Sequence, residues 1–419
     1  MRKTFLPFSP PLIGEEEIAE VVDTLRSDWI TTGPKVERFE REFAAAVNAP
    51  AALAVNSCTA ALHVALAALK IGPGDAVITT PLTFCSTVHV IEQVGARPIL
   101  VDVEPGTLNL DPQRVREALE KLNGGRKKTD SSHPGTVKAI LPVHLYGHPC
   151  NMDSLLGIAS EYGLAVIEDA AHALPAQYKG QMVGSLGKDS PSPVLTAFSF
   201  YATKNMTTAE GGMLTGKAEL LDRARVWSLH GMSRDAWKRY SSEGSWHYEV
   251  ICPGFKCNMT DIQAAMGIHQ LRKLPEFHHR RREIAYRYNR AFGDIAELET
   301  PPEESWAGHA WHLYVLRLNL ERIAVSRDVF LAEMQHRQIG TSVHFIPVHL
   351  HAYYRGKYGY RPQDFPVAYA AYQRMLSLPC SPRMQDQDVE DVIEAVIEVV
   401  EKSGHWSRAS QSLSAALSS

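Results

Sequence analysis

Two side chains that could do chemistry each stand at the end of an apolar run. Asp169 ends the run LAVIED, and Lys204 lies in the turn that follows TAFSF. A lysine amine becomes a useful nucleophile when its surroundings lower its pKa, and a strand-end carboxylate can pair with a protonated ring nitrogen. The ordinary alternatives are a structural salt bridge for Asp169 and a solvated side chain for Lys204. Glu168 points to the opposite face if the strand persists, so we expect only one of the two carboxylates in a site.

Groups that could bind a phosphate accompany this pair. The turn after the apolar run AALAV contains Ser57, Cys58 and Thr59 just before a helical pattern, and helix N-termini attract anions. Ser199 could donate a further hydroxyl, and Phe84 could lie flat against a ring. Alone, the turn is also typical of a helix-capping serine, and Phe84 could be a core residue. Their order, each at the end of a predicted strand, favours one shared site.

The elements that must position these residues follow an α/β pattern. From about residue 50, short apolar runs alternate with helix-length periodic segments, which predicts βαβ units and a mostly parallel sheet. Such sheets place ligands at the carboxyl ends of their strands, and the candidate residues fall there. Residues 123–135 are polar and glycine-rich, so we expect an exposed, mobile loop.

The remainder predicts a smaller α+β unit. Residues 276–292 form a long helical pattern, followed by two strand candidates, HLYVLRL and TSVHFIPV, and a final helix, VEDVIEAVIEVVEKSG. We therefore predict three parts. They are an N-terminal arm with a large α/β domain (1–275), a small C-terminal α+β domain (276–405) and a flexible tail (406–419).

Composition narrows the function classes. The 43 Lys+Arg against 47 Asp+Glu give a net charge of -4, which disfavours nucleic-acid binding. No apolar stretch is long enough for a membrane span and the start lacks an apolar signal core, so we expect a cytoplasmic protein. The six cysteines form no CxxC pair, which favours reduced thiols over disulfides or a metal site.

Several long motifs, in order, resemble the DegT/StrS family of sugar aminotransferases, which depend on pyridoxal 5'-phosphate (PLP). The resemblance covers about residues 30 to 382. Its markers are NSCTAALH, PLTF, VHLYG, IEDAAHA, FSFYATKN, EGGML and PGFKCNMTDIQAAMGIHQL. The resemblance implies the PLP-dependent transferase fold type I, which is aspartate aminotransferase-like.

The resemblance also assigns roles to single residues. It implies that Lys204 holds PLP as a Schiff base, that Asp169 pairs with the pyridine nitrogen and that His172 lies near the phenolic oxygen. Other implied contacts are to the phosphate, the ring and the substrate. They comprise Cys58, Thr59 and Ser199 at the phosphate, with Ser57 in the same turn, Phe84 on the ring, Asn258 at the phosphate of a neighbouring subunit's cofactor, and Thr32, Gly33, His344 and His349 facing the substrate.

The implied reaction transfers an amino group from L-glutamate to a nucleotide-linked keto-sugar in a homodimer. Pyridoxamine phosphate is the intermediate form of the cofactor, and 2-oxoglutarate leaves. Cys58 stands where many members have Gly, and Lys256 where many have Asn. The Lys-x-Asn form, HAWHLYVLR and HGMSRDAW resemble the branch that makes UDP-4-amino-4-deoxy-L-arabinose. A UDP-linked 4-keto sugar is therefore the favoured substrate.

Other functions stay open at this point. A 3-amino transfer on a dTDP-keto-sugar would use the same residues, and a regulatory member of the fold would need a further DNA-binding or partner module. A sugar dehydratase of this fold replaces the lysine, so Lys204 argues against it. A nucleotide-binding dehydrogenase is disfavoured because no G-x-G-x-x-G follows the first strand. A metal site among the histidines of HFIPVHLHAYY is disfavoured because no ligand set at helix spacing is evident.

Overall fold

The structure is a computed structural model that describes residues 2–124, 135–232 and 248–417, with the backbone alone for 123–124 and 404–417. Most of the loop predicted at 123–135 and most of the HGMSRDAW motif lie outside these residues. The helices are α1 (Glu15–Arg26), α2 (Pro34–Ala46), α3 (Cys58–Ala68), α4 (Ser86–Gln93), α5 (Pro112–Gly124), α6 (Met152–Tyr162), α7 (Ala218–Ser228), α8 (Asp261–Phe292), α9 (Arg327–His336), α10 (Ala352–Tyr358), α11 (Pro366–Arg374) and α12 (Asp386–Leu417).

A seven-stranded sheet forms the centre of the molecule, in the order β1-β9-β8-β5-β4-β2-β3. Only β9 runs antiparallel to its neighbours. The strands are β1 (Ala51–Val55), β2 (Asp75–Thr79), β3 (Arg97–Leu100), β4 (Thr136–Leu141), β5 (Ala165–Asp169), β6 (Gln177–Tyr178), β7 (Gln181–Met182), β8 (Val194–Ser199), β9 (Gly212–Gly216), β10 (Leu298–Glu299), β11 (Ala307–Gly308), β12 (Tyr314–Leu318) and β13 (Met375–Leu378). This architecture confirms the predicted fold type I α/β class.

Helices cover both faces of the sheet, as its continuous apolar strands require. On one face, α3 is buried along almost its whole length against β1, β8 and β9. On the opposite face, Phe39 and Phe43 of α2 pack with Phe198 from β8 and Phe200 from the turn after it. Burial of these rings holds the end of β8, and therefore the turn that follows it, in place.

The small C-terminal sheet differs from its prediction. HLYVLRL contains β12, but TSVHFIPV forms only an isolated bridge from Ser342 to Ser377 and a short 3-10 helix at Val348–Leu350. The missing partner is β13, which pairs antiparallel with β12. TSVHFIPV alternates like a strand, yet Pro347 offers no backbone donor to a ladder.

Helix α8 joins the two parts of the chain. Its first half packs with α2 through Ile268 and Leu274, and its second half packs in the C-terminal core through Ile284 and Tyr288. The predicted boundary after residue 275 falls inside this helix, and the division into domains stays a prediction.

Both ends of the chain depart from the expected outline. Leu6 exchanges backbone hydrogen bonds with residues 338 and 340 and joins the C-terminal core, so the first residues pack on the C-terminal part. Helix α12 continues past its predicted end at Gly404 to Leu417, since the segment beyond Gly404 contains no Gly or Pro to stop it. The flexibility of the tail stays a prediction. In the described residues no helix is long and apolar enough to cross a bilayer. The cytoplasmic location stays a prediction.

Candidate active site

The carboxyl ends of β1, β5 and β8 open into a cavity of about 420 Å³. Nine of the residues singled out in the sequence line it. They are Ser57, Cys58, Thr59, Phe84, Asp169, His172, Ser199, Lys204 and His344. The parallel sheet therefore brings together side chains that are up to 287 positions apart in the chain, from Ser57 to His344.

The N-terminus of α3 forms one wall of the cavity. Ser57 is the N-cap, and its hydroxyl oxygen accepts from the backbone N–H of Ala60 at 3.1 Å. The backbone N–H groups of Cys58 and Thr59 belong to the first turn, which has no partner within the helix. Gly212 lets β9 pass directly behind this turn, because a Cβ there would lie 2.4 Å from the Ser57 carbonyl carbon. Ser57 therefore caps the helix, as one sequence interpretation predicts, and it also lines the cavity, while its contact with a phosphate stays a prediction.

Asp169 lies at the end of β5 and is almost fully buried. Its Oδ2 accepts from the Thr87 hydroxyl at 2.8 Å, and its Oδ1 accepts from the Ala171 backbone N–H at 3.1 Å. Burial raises the pKa of this carboxyl, and the Thr87 and Ala171 hydrogen bonds and the Lys204 charge oppose the rise. The hydrogen bonds and charges around Asp169 therefore do not fully offset the cost of burying its carboxylate in the charged form.

Lys204 lies in the turn after β8, which is closed by a hydrogen bond from its backbone N–H to the Tyr201 carbonyl at 2.9 Å. Burial lowers the pKa of its ammonium to about 8, while Cys58 and Asp169 act in the opposite direction. Roughly a tenth of the amine is therefore unprotonated at pH 7, far more than for an ordinary lysine, and a nucleophilic or proton-transferring lysine needs this form.

Three imidazoles line the cavity beside Lys204. Burial, and then the positive charge of Lys204, lowers the pKa of His172 and His312 well below the usual value and that of His344 to about 4. The three rings are therefore neutral at physiological pH. Tyr146 donates its backbone N–H to Nδ1 of His172 at 3.2 Å, so the proton of this ring is on Nε2.

Phe84 lies at the mouth of the cavity. It is 57% exposed and its ring is 5.8 Å from that of Phe345. The core alternative for Phe84 is therefore wrong.

The structure does not bring the remaining predicted residues to this cavity. Asn258 donates from Nδ2 to the Thr32 hydroxyl at 2.7 Å, and Gly33 donates its backbone N–H to Asp261 at 2.9 Å, so these residues form a separate group within one chain. His349 is fully buried and packs against Phe365.

Sequence reasoning missed several lining residues. They include Thr83, Ser86, Tyr201, Thr203, Glu210 and His312. Tyr201 and Thr203 lie within FYATK, beside Lys204, so proximity to the lysine could have marked them. His312 belongs to HAWHLYVLR, but nothing in that motif alone indicates that it reaches the sheet.

A second cavity, of about 450 Å³, lies between α8 and the segment 302–311. Its described lining includes His148, His278, Arg282 and His309 but no lysine. It has no amine that could hold a carbonyl cofactor, so the cavity at Lys204 is the candidate active site.

Comparison with known proteins agrees with this geometry. The family model for the DegT/DnrJ/EryC1/StrS aminotransferase family matches residues 11–397. The chain belongs to this family. It is a PLP-dependent sugar aminotransferase, and its neighbours among solved structures include PLP and pyridoxamine-phosphate forms.

The similarity extends over nearly the whole chain. The chain is 53% identical over 401 residues to the spore coat polysaccharide biosynthesis protein SpsC of Bacillus subtilis (strain 168), covering 95% of this chain and 98% of SpsC. A putative sugar aminotransferase, Spr1654 from Streptococcus pneumoniae, in its PLP form superposes with a TM-score of 0.82 at 34% identity, covering 95% and 99% of the two chains. DesV from S. venezuelae, in complex with a ketimine intermediate, superposes with a TM-score of 0.80 at 31% identity. The match covers 94% of this chain and 99% of DesV.

The residues of the Lys204 cavity fit PLP. The carbonyl group of PLP needs an amine, which Lys204 offers. The ring nitrogen of PLP needs a carboxylate, and buried Asp169 lacks a full counter-charge. The phosphate of PLP needs backbone N–H donors, which the first turn of α3 provides. Bound there, PLP supplies an electron sink for charge that develops at the substrate carbon.

Proposed function

We propose that this enzyme moves the amino group of L-glutamate onto a nucleotide-linked 4-keto sugar, with a UDP-sugar favoured. The observation that carries the proposal is the pairing of Lys204, with a pKa of about 8, and buried Asp169 in one cavity at the carboxyl edge of the sheet. The 4-keto preference rests on the sequence likeness to the 4-amino-4-deoxy-L-arabinose branch. Similarity to SpsC supports a product destined for a surface polysaccharide.

Lys204 is proposed to hold the cofactor and to carry the proton. Once freed by the incoming amino donor, its amine can take the proton from the α-carbon of glutamate, because its pKa allows both protonation states near neutral pH. It gives a proton up again within the same half-reaction, and in the second half it donates a proton to the sugar carbon that receives the amine. One lysine thus serves both directions.

The other cavity residues are proposed to bind and orient. Asp169 keeps the ring nitrogen protonated, and His172 donates its Nε2–H toward the phenolic oxygen. The phosphate is bound by the first turn of α3 together with Ser199. Phe84 covers the ring at the cavity mouth, where His344 meets the sugar.

The site is proposed to be completed by a second subunit. Asn258, Thr32 and Gly33 lie outside the cavity of their own chain, which fits a role toward the cavity of a partner. Apolar side chains exposed on the same chain include Ile30 and Tyr201, which lines the cavity mouth. A homodimer would cover such surfaces.

The visible absorbance of the purified enzyme tests the proposal. We expect a yellow band that bleaches when L-glutamate is added and that is absent in Lys204→Ala. Lys217→Ala, an exposed lysine outside the cavity, is the matched control and should keep the band. A colourless wild type would contradict the proposal and favour a regulatory role.

A substrate panel tests the sugar. Enzyme and glutamate are incubated with UDP-, GDP-, CDP- and dTDP-linked keto-sugars, and the aminated carbon of each product is identified. Turnover of 3-keto substrates alone would replace the 4-amino assignment with the dTDP-linked 3-amino alternative.

Mixing two inactive variants tests the shared site. When Lys204→Ala and Asn258→Ala subunits are mixed, half of the dimers should be heterodimers, and each heterodimer contains one intact site of its two. The mixture should therefore regain about a quarter of wild-type activity. No recovery would show that Asn258 acts within its own chain.

A further inference from the structure

The side chain of Asn205, next to Lys204, joins three segments of the chain. Its Nδ2 donates to the Leu174 carbonyl at 2.8 Å and to the Ala310 carbonyl at 2.9 Å. Its Oδ1 is 3.1 Å from Nδ1 of His312. One buried amide thus ties the lysine turn to the turn after β5 and to the segment that enters β12.

These contacts fix the orientation of the amide. Carbonyl oxygens only accept hydrogen bonds, so the atom facing Leu174 and Ala310 must be the nitrogen with its two hydrogens. The oxygen therefore faces His312. A flipped amide would place an oxygen against two carbonyl oxygens, and Nδ1 of His312 could accept only one of the two hydrogens on its nitrogen.

The orientation of Asn205 in turn fixes the tautomer of His312. Because Oδ1 of Asn205 can only accept, Nδ1 of His312 must donate and carries the proton. The neutral ring then has an unprotonated Nε2. Its neighbour His172, with ring centroids 4.5 Å apart, has the opposite tautomer, because its Nδ1 accepts from the Tyr146 backbone. The cavity therefore has one donor and one acceptor imidazole side by side.

We infer that Asn205 is a positioning residue that acts through His312, locking its Nε2 as a hydrogen-bond acceptor beside Lys204. This inference rests on the proposed function, the transfer of the amino group of L-glutamate to a nucleotide-linked keto-sugar. The groups that enter and leave the cavity during amino transfer are amines, and a neutral acceptor orients an N–H donor without adding a second positive charge next to Lys204. The same amide anchors the lysine turn against the C-terminal part of the chain, so the acceptor and the lysine are placed together.

Two substitutions at His312 separate this role from simple packing. In His312→Gln the terminal amide occupies the place of Nε2 and can offer an oxygen to the cavity, whereas in His312→Asn the amide ends at the place of Nδ1 and offers nothing there. We expect His312→Gln to keep kcat of the glutamate half-reaction within about threefold, and His312→Asn to lose about tenfold or more. Equal losses in both variants would overturn the inference.

Asn205→Asp tests the lock itself. A carboxylate cannot donate to the Leu174 and Ala310 carbonyls, and it favours a doubly protonated His312, which would turn the acceptor into a donor. We expect kcat to fall about tenfold or more with a smaller change in the KM for glutamate, and the visible band of bound cofactor to remain. An unchanged kcat would overturn the inference.

A readout on cofactor-free enzyme separates this inference from the proposed function. Nitrogen-15 spectra of labelled histidine, with His312 assigned by its loss in His312→Gln, should show protonated Nδ1 and bare Nε2 in the wild type and a doubly protonated ring in Asn205→Asp. A wild-type His312 with its proton on Nε2 would overturn the lock whatever the activity. A wild type that shows this tautomer but never bleaches with glutamate would refute the proposed function instead.

Discussion

Glu168 and Asp169 are adjacent on β5, yet the two faces of the strand use their carboxylates differently. Glu168 is fully buried on the core face, where it accepts from Nε2 of His144 at 2.9 Å and from the Thr196 hydroxyl at 2.6 Å. His144 in turn accepts from the Cys150 backbone N–H at 3.0 Å. Every polar group of this chain of hydrogen bonds has a partner within the fold. The network therefore stabilises one packing arrangement and does not line the cavity.

Asp169 on the cavity face also has donors on both oxygens: the Thr87 hydroxyl on Oδ2, and the Ala171 backbone N–H and the Cys58 thiol on Oδ1. Unlike Glu168, it lines the cavity, and burial raises its pKa. A buried carboxylate in this state lowers the stability of the cofactor-free protein and binds a cation or a protonated ring nitrogen strongly. The difference teaches that burial alone does not separate structural from functional carboxylates. What separates them is whether the carboxylate contacts only the fold or also lines a cavity that a ligand can enter.

The largest effect is expected from Asp169→Asn. The amide keeps the shape but cannot hold a ring nitrogen protonated, so kcat/KM for glutamate should fall about 10²- to 10³-fold. The unfolding temperature of the cofactor-free enzyme should change little, because the relief of a buried charge offsets the loss of one acceptor oxygen for Thr87 or Ala171. Single-turnover kinetics and thermal unfolding measure the two. Activity within threefold of wild type would show that the cavity face needs no charge.

The sequence predicts the cavity face well because local pattern decides it. Asp169, Ser57 and Lys204 each end an apolar run, and parallel strands bring such ends to one edge. The chemical difference between Glu168 and its neighbour is only half predictable. Alternation along a strand assigns them to opposite faces, but His144 and Thr196, which bond Glu168, are 24 and 28 residues away.

Contacts made by the C-terminal part were harder to predict. His312 and β13 take their places only when the small sheet packs against the end of the large one, which no local pattern encodes. TSVHFIPV shows the converse failure. Its alternation predicts a strand, yet the segment crosses to the cavity, where the Ser377 hydroxyl bonds Nδ1 of His344 at 2.8 Å.

A pH effect on stability is expected next in size, at Lys204. Its pKa is about 8 in the folded protein and 10.5 in an unfolded chain, so between these values the folded protein binds fewer protons at this site. Stability of cofactor-free wild type relative to Lys204→Met should therefore rise with pH from about 8 to 10.5, by up to about 3 kcal/mol. Denaturant unfolding at a series of pH values measures this. A flat difference would mean that the cavity face does not desolvate its lysine.

Glu168→Gln replaces a carboxylate with an amide on the core face of β5, as Asp169→Asn does on the cavity face. His144 and Thr196 both donate to the carboxylate, and an amide offers them a single oxygen, so unfolding free energy should fall by about 1–2 kcal/mol. Activity of the folded enzyme should stay near wild type. Denaturant unfolding and kinetics on the same preparation test both statements. Lost activity with unchanged stability would reverse the assignment of the two faces.

Thr87→Val is expected to have the smallest effect, because it alters Asp169 without removing it. The Thr87 hydroxyl donates to Oδ2 of Asp169 and lies 2.7 Å from the Thr83 hydroxyl. Losing this donor removes one of the influences that lower the pKa of Asp169, so the carboxyl should become protonated at higher pH. We therefore expect kcat to fall by less than about tenfold, with a larger loss at low pH than at high pH. The pH profile of kcat measures this. Thr83→Val is the matched control, since it leaves the bond between Thr87 and Asp169 in place. An equal shift in both variants would mean that the threonines act on packing rather than on the charge of Asp169.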